Sequence, residues 1–308
     1  MEFIKGFNFI NHSDCRGNYC NEESKAALRA AKKIGLTHIN LVFSAFQETA
    51  HSEEIRWDYA NCPSSEDLLK MVAYAKEIGF RVILKPMLDC LDGTWRARIN
   101  FFDIDVPCET KWSTWFQNYE TYMCYCAEIA QQSGCEMLVI GTEMIQTERR
   151  ASEWIHVIQE VRKIYSGLIT YNTDKYQEEN VSWWDHVDVI SASGYYPIDQ
   201  IGEQLQRIKR FVKRYNKPYF FAEAGCPSRK GNQYNPNDWA FEGDYDESAQ
   251  ADWYEEFLRQ SIHEDWLYGY TFWSWSHFMS ETCTSRKDPY DIHGKLAEHV
   301  VEKYMKER

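Results

Sequence analysis

The amino-acid sequence predicts an α/β protein that folds as a single (β/α)8 barrel. Apolar stretches of strand length alternate with amphipathic helical stretches. A glycine recurs in the turn between a helix and the next strand, at Gly35, Gly79, Gly134 and Gly167. Glycine just past a helix favours the left-handed conformation that lets the chain reverse. Continuous apolar strands that alternate with helices indicate a parallel sheet covered on both faces.

The apolar stretches define eight strands, which favour a closed barrel over an open doubly wound sheet. The predicted strands are residues 3–9, 37–43, 80–86, 136–142, 168–173, 187–193, 218–223 and 267–274. A helical stripe follows Ser64, the predicted N-cap, and comprises Leu68, Met71, Val72, Ala75 and Ile78. Similar stripes cover 154–165 and 201–215, and a short fifth helix is expected around 179–185.

One domain spanning residues 1–308 is expected, because a barrel of roughly 250 residues with insertions accounts for the chain. The net charge of −13 argues against nucleic-acid and anionic-membrane partners, which basic patches bind. The first residues show no export-signal pattern, and no apolar run is long enough to cross a bilayer, so a cytoplasmic location is expected. The ten cysteines include no Cys-x-x-Cys pair, and we expect them to be mostly buried thiols.

The strand-to-helix loops are long, whereas the helix-to-strand turns are short. The long loops are 10–21, 44–63, 88–111, 224–245 and 275–291, and they carry Trp57, Trp95, Trp112, Trp239, Trp275 and His277. Barrels of this kind build their sites from the loops at the carboxyl ends of the strands. Because 16% of the residues are aromatic, we expect some of these rings to stack on sugars and others to pack in the core.

Two glutamates follow apolar strands eighty residues apart. Glu143 closes the fourth predicted strand, and Glu223 closes the seventh. In a parallel barrel both carboxyl groups would point into one pocket at the carboxyl rim. Paired carboxyl groups suit glycoside hydrolysis, in which one protonates the leaving oxygen and the other attacks the sugar. A salt bridge or a helix cap is the alternative role for either glutamate alone.

Several short stretches carry a resemblance to a known family. They are Gly6–Phe9, Ile140–Met144, Ser193–Pro197, Phe221–Gly225 and Phe272–Trp275. Together they resemble the retaining (β/α)8 glycosidases, and most closely glycoside hydrolase family 113, the β-1,4-mannanases. The resemblance implies that Glu143 is the acid/base and Glu223 the nucleophile. It also shows one departure, because Thr142 stands where many members of the wider group carry an Asn that contacts the sugar.

The resemblance implies roles for two aromatic residues. Tyr195 would donate a hydrogen bond to the nucleophile, although the adjacent Tyr196 is a rival because neighbouring residues at a strand end face opposite ways. Trp273 would form the floor of the sugar site, with core packing as its alternative role. A cis peptide bond after this Trp is common in the group.

Polar residues at other strand ends are further candidates for sugar binding. Lys85 and Asp89 follow the third strand, and Asn172 and Asp174 close the fifth. Capping of a turn or helix is an equally good role for Asp89 and Asp174. Trp95, in the long third loop, is a candidate platform for a neighbouring sugar.

These observations together predict a retaining β-mannanase acting on mannan or β-linked manno-oligosaccharides without a metal or cofactor. The scattered histidines argue against a metal-dependent hydrolase. The aromatic eighth strand argues against a phosphate-binding barrel. Another retaining β-glycosidase (a xylanase, galactanase or exo-β-mannosidase) and a non-catalytic carbohydrate-binding barrel remain alternatives. With a cytoplasmic location, imported manno-oligosaccharides would be the substrate.

Overall fold

Eight parallel strands form a closed barrel in the order of the chain. The computed structural model describes residues 1–10, 16–102, 109–240, 242–276 and 288–308. The strands are β1 (Ile4–Ile10), β2 (His38–Gln47), β3 (Arg81–Cys90), β4 (Met137–Thr142), β5 (Leu168–Thr173), β6 (Val189–Ser193), β7 (Tyr219–Glu223) and β8 (Leu267–Ser276). The (β/α)8 barrel predicted from the sequence is therefore confirmed.

Seven α-helices cover the barrel in the described part of the chain. They are α1 (Glu22–Lys33), α2 (Ser65–Glu77), α3 (Glu109–Ser133), α4 (Ala151–Ile164), α5 (Ile201–Tyr215), α6 (Glu247–Ser261) and α7 (Leu296–Glu307). The Ser64 cap of α2 is confirmed, because its hydroxyl accepts a hydrogen bond from the Asp67 amide while the Asp67 carboxylate accepts one from the Ser64 amide. None of the described helices is long and apolar enough to span a membrane.

The predicted fifth helix around 179–185 is wrong. This connection contains only a short 3-10 helix, Trp184–His186. Trp183 and Trp184 are both buried there, and their indole N–H groups donate to the backbone oxygens of Glu148 and Glu178. Packing of two adjacent indoles into the core replaces the one-sided helical stripe that a surface helix needs.

Strands β2 and β3 run past their predicted ends at residues 43 and 86. The two strands pair along ten consecutive positions, from His38 with Arg81 to Gln47 with Cys90. The extension carries β3 to Cys90, so that Asp89 belongs to a strand rather than to a loop. The ends of these two strands line one part of the pocket described below.

The interior of the barrel changes from apolar to polar towards the carboxyl rim. An apolar layer comprises Ile4, Ile83, Met137, Val139, Val189, Phe220 and Ala222. Above it, the Asn8 amide donates to the backbone oxygens of Ala222 (2.9 Å) and Thr271 (2.7 Å), and Asn40 donates to Asn8 (2.9 Å). The side chains of the candidate site lie next to this fully buried polar layer, at the carboxyl rim of the barrel.

Three of the tryptophans assigned to rim loops have packing roles. Trp112 lies in α3 and is fully buried against Phe101 and Phe116, so its placement in a loop is wrong. Trp275 lies in β8, also fully buried, and its indole donates to a backbone oxygen of α1. Trp57 is partly buried and stacks on Tyr125. His277 lies outside the described residues.

Candidate active site

Glu143 follows β4 in an unusual backbone conformation. Its φ is +52°, in the left-handed region that residues other than glycine seldom adopt. The carboxyl group is 8% exposed and accepts hydrogen bonds from the Ser193 hydroxyl (2.6 Å) and the Trp95 indole (3.2 Å). Burial, reinforced by the nearby Asp174 carboxylate, raises the pKa of Glu143, and the Arg96 charge opposes the rise. Glu143 is therefore the carboxyl suited to hold a proton.

Glu223 closes β7 and has a different set of partners. Its Oε1 accepts a hydrogen bond from the Lys85 ammonium, and its Oε2 accepts one from the Tyr195 hydroxyl at 2.9 Å. Burial raises the pKa of Glu223, as it does that of Glu143, and the adjacent Lys85 charge opposes the rise without reversing it. A direct cation and a hydroxyl donor both favour the ionised form over the protonated one.

The rival tyrosines of the β6 end face opposite ways. Tyr195 contacts Glu223 and lines the pocket. Tyr196 points into the helix layer, where its hydroxyl donates to the buried Glu178 at 3.3 Å. Because successive residues of an extended segment alternate in direction, only one of the two can reach the pocket.

Lys85 and Asn172 lie behind the carboxyl groups rather than on the pocket surface. Both side chains are fully buried, and the Lys85 ammonium donates to Asn172 Oδ1 at 2.9 Å as well as to Glu223. The Asn172 amide donates to Thr173 O (2.9 Å) and Ser193 Oγ (3.1 Å). Their polar atoms are thus occupied by protein partners, and direct contact with a sugar, expected from the sequence, does not fit this placement.

Asp89 and Asp174 both line the pocket, Asp89 on β3 and Asp174 just after β5, the two strands that flank β4. Asp89 accepts a hydrogen bond from Ser44 at 2.5 Å and forms an ion pair with Arg96. Asp174 is 8% exposed, and its nearest cation is Lys175 at 3.9 Å. Burial raises the pKa of Asp174, while Lys175 opposes the rise. Asp174 therefore has more capacity left to accept hydrogen bonds from a sugar.

Three indoles line this pocket, which has a volume of about 650 Å³. Trp95 is 45% exposed and Trp239 is 62% exposed, and the Trp239 ring stacks on Tyr290 with ring centroids 4.1 Å apart. Trp273 lies in β8, is partly buried, lines the pocket, and is followed by a cis peptide bond. Flat apolar rings beside carboxyl groups suit a sugar, which has apolar faces and a polar rim.

Some residues of the site were not singled out from the sequence. Ser193, Arg96 and Asn8 all contact the candidate residues, and Ser193 and Asn8 belong to stretches that carry the family resemblance. Thr142 is 1% exposed, and its hydroxyl has no hydrogen-bond partner among the described residues. Among all the residues that the structure describes, no group of three or more His, Cys, Asp or Glu side chains could hold a metal ion.

Comparison with known proteins identifies the family. Residues 7–295 match the sequence pattern of Glycoside Hydrolase Family 113. The chain belongs to this family. No curated protein sequence matches the chain.

Solved family 113 structures are similar along the full length. Two structures of a family 113 β-1,4-mannanase, one of them a complex, are each 44% identical, cover 100% of both chains and have a TM-score of 0.95. The family 113 β-mannanase of Alicyclobacillus acidocaldarius in complex with ManMIm is 33% identical, with a TM-score of 0.93, and covers 100% of this chain and 98% of that one. A β-D-glucuronidase of Dictyoglomus thermophilum, 17% identical with a TM-score of 0.66, shares the barrel fold over 51% of its length.

Proposed function

We propose that this family 113 glycoside hydrolase is a retaining β-1,4-mannanase, with Glu223 as the nucleophile and Glu143 as the acid/base. The observation that carries the assignment is the difference between the two buried carboxyl groups. Glu223 contacts a lysine ammonium directly, whereas the nearest cation to Glu143 in the described part of the chain is Arg96 at 3.8 Å. The similarity to a β-1,4-mannanase that is 44% identical along both chains supports the choice of sugar.

The first chemical step joins the sugar to the enzyme. A Glu223 oxygen attacks the anomeric carbon, the bond from that carbon to the glycosidic oxygen breaks, and the Glu143 proton moves to the leaving oxygen. The intermediate removes the negative charge of Glu223. A nearby negative charge disfavours ionisation of a carboxyl group, so the loss of the Glu223 charge prepares Glu143 to act as a base.

The second step releases the sugar. Water gives its proton to Glu143 as its oxygen attacks the anomeric carbon, and the bond to Glu223 breaks. Both attacks invert the anomeric centre, so the β configuration is retained overall. Trp95, Trp239 and Trp273 supply the apolar surfaces for the sugar rings, and Asp174 supplies a hydrogen-bond acceptor. The cytoplasmic location stays a prediction.

Hydrolysis of mannohexaose, cellohexaose and xylohexaose by the wild-type enzyme tests the substrate. We expect cleavage of mannohexaose alone, with retention of configuration at the new reducing end when the product is followed by NMR. The sizes of the products over time separate endo from exo cleavage. Cleavage of a different hexaose would leave the proposed mechanism in place but contradict the assignment of mannose as the substrate sugar. No cleavage of any of the three would favour a non-catalytic carbohydrate-binding barrel.

Tyr195→Phe removes the hydroxyl donor to Glu223 and keeps the ring. The donor stabilises the ionised nucleophile, so its loss raises the pKa of Glu223 and moves the acid limb of kcat/KM to higher pH. We expect kcat/KM at neutral pH to fall about tenfold, because a hydrogen bond to a charged group contributes about 1.5 kcal/mol at the low end of its range. The matched control is Tyr196→Phe, whose hydroxyl contacts Glu178 instead, and an equal limb shift in that control would contradict the prediction.

Lys85→Met removes the charge that contacts Glu223 and largely preserves side-chain volume. Glu223 then remains buried without an adjacent cation, so its pKa rises and the nucleophile is protonated over more of the pH range. We expect kcat/KM at neutral pH to fall about 100-fold, the low end of what one positioned electrostatic partner contributes in an active site, with partial recovery at higher pH. Lys209→Met, which removes a partly exposed pair with Glu264, is the control. A pH-independent loss would indicate misfolding instead.

A further inference from the structure

The backbone at Glu143 requires support, because its φ of +52° is unfavourable for a residue with a side chain. Such conformations persist only where the surroundings hold them in place. Two hydrogen bonds fix the amides on either side of the Glu143 α-carbon. The Glu143 amide donates to the backbone oxygen of Asn172 at 2.7 Å, and the Met144 amide donates to the Tyr171 hydroxyl at 3.1 Å. In the second bond, the acceptor is a side chain on β5.

Tyr171 is held rigidly beneath this turn. The side chain is fully buried, and its ring makes edge contacts with Trp154 and Trp183 at centroid distances of 5.1 and 5.0 Å. On the β4 side the ring lies against Gly141, where an added β-carbon would come within 2.8 Å of it. Gly141 thus allows the ring to approach β4 closely enough to reach the turn.

Glu148 determines the direction of the Tyr171 hydroxyl. The Tyr171 hydroxyl donates to Glu148 Oε1 at 2.9 Å, and Thr173 donates to the same oxygen at 2.7 Å. Since the hydroxyl proton is directed to Glu148, a lone pair of its oxygen remains for the Met144 N–H. Without Glu148 nothing in this set of contacts would fix the rotation of the hydroxyl.

Burial of the Glu148 carboxyl group is energetically unfavourable, which a purely structural role does not explain. It is 1% exposed, forms no ion pair among the described residues, and its Oε2 has no hydrogen-bond partner there. Burial raises its pKa to about 7, and the charges of Asp174 and Glu143 add to the rise. Because Oε2 is free to take the proton, Oε1 stays available to Tyr171 whether Glu148 is protonated or ionised. The arrangement therefore works on both sides of neutrality.

We propose that Tyr171 and Glu148 are positioning residues for Glu143, with the Glu148–Tyr171–Met144 hydrogen-bond relay fixing the turn that aims the Glu143 carboxyl at the leaving oxygen. This inference rests on the proposed function in that Glu143 is the acid/base. A positioning role makes a prediction that a structural role does not. Misaiming the acid impairs only reactions that need a proton for the leaving group, whereas general loosening of the barrel impairs all of them.

The test is the dependence of kcat/KM on the leaving group for Tyr171→Phe. Aryl β-mannobiosides with 2,4-dinitrophenol as the leaving group need no acid, whereas those with 4-methoxyphenol do. The variant should lose about tenfold in kcat/KM on the methoxyphenyl substrate, as a misplaced catalytic group does, and nothing on the dinitrophenyl one. The matched control is Tyr119→Phe, whose hydroxyl donates at 2.8 Å to Ile140 O, also on β4 but away from the turn, and which should show no selective loss.

Two further variants examine Glu148. Glu148→Gln keeps an acceptor oxygen for Tyr171 and should behave like the wild type on both substrates. Glu148→Ala removes the acceptor and should show the same selective loss as Tyr171→Phe. An equal loss on both substrates in Tyr171→Phe, or a loss on neither, would overturn the positioning role.

Glu143→Ala separates failure of this inference from failure of the proposed function. This variant should lose kcat/KM on the methoxyphenyl substrate and retain it on the dinitrophenyl substrate. If it does so while Tyr171→Phe shows no selectivity, the acid assignment stands and the relay is overturned. If Glu143→Ala itself shows no selectivity, the acid assignment and the relay fall together.

Discussion

Glu223→Ala should abolish turnover, lowering kcat/KM on manno-oligosaccharides by about 10⁴-fold or more, because the variant lacks the group that forms the covalent intermediate. Sodium azide should restore reaction with an activated aryl β-mannobioside. The small anion fits where the carboxylate was removed, attacks from the same face, and yields an α-configured glycosyl azide. The measurement is the anomeric configuration of that product by NMR, together with a thermal melt to show that the variant is folded.

The control for this assignment is Asp174→Ala. Asp174 is a third buried carboxyl in the same pocket, so the substitution opens a similar space at the edge of the site. It should yield no glycosyl azide of either configuration, whatever its effect on binding. An α-azide from Asp174→Ala, or none from Glu223→Ala, would show that the nucleophile has been assigned to the wrong strand.

Glu143→Ala should give the second-largest effect, a loss of about 10²–10⁴-fold on natural oligosaccharides, the range that general acid catalysis contributes. With an activated aryl substrate the intermediate still forms but is hydrolysed slowly, because no base activates the water. Azide then attacks the intermediate from the opposite face and yields a β-configured glycosyl azide. The two glutamate variants are thus distinguished by opposite anomers of one product, and a β-azide from Glu223→Ala would reverse the roles.

The sequence predicted the fold well because its signals are local. The alternation of apolar strands with helices and the Ser64 cap each arise from neighbouring residues, and both were confirmed. The fifth helix was predicted wrongly because Trp183 and Trp184 pack into the core through tertiary contacts that a local pattern does not contain. Trp112 and Trp275 were assigned to rim loops for a similar reason, since composition alone does not separate a buried indole from a sugar platform.

The sequence by itself determined the barrel, the family, and the placement of two glutamates at the ends of β4 and β7, because each depends on the order of residues along the chain. Tertiary structure alone decided which partners those glutamates have. Lys85 and Glu223 are 138 residues apart and meet only because the barrel closes. The pairing of β6 with β7 shifts register between Ala192 and Ser193, which a strict two-residue alternation does not predict. The shift comes just before Tyr195 and Tyr196, of which only Tyr195 faces the pocket. Such irregularities set the direction of the side chains at a strand end. That direction in turn decides which residues can contact the sugar.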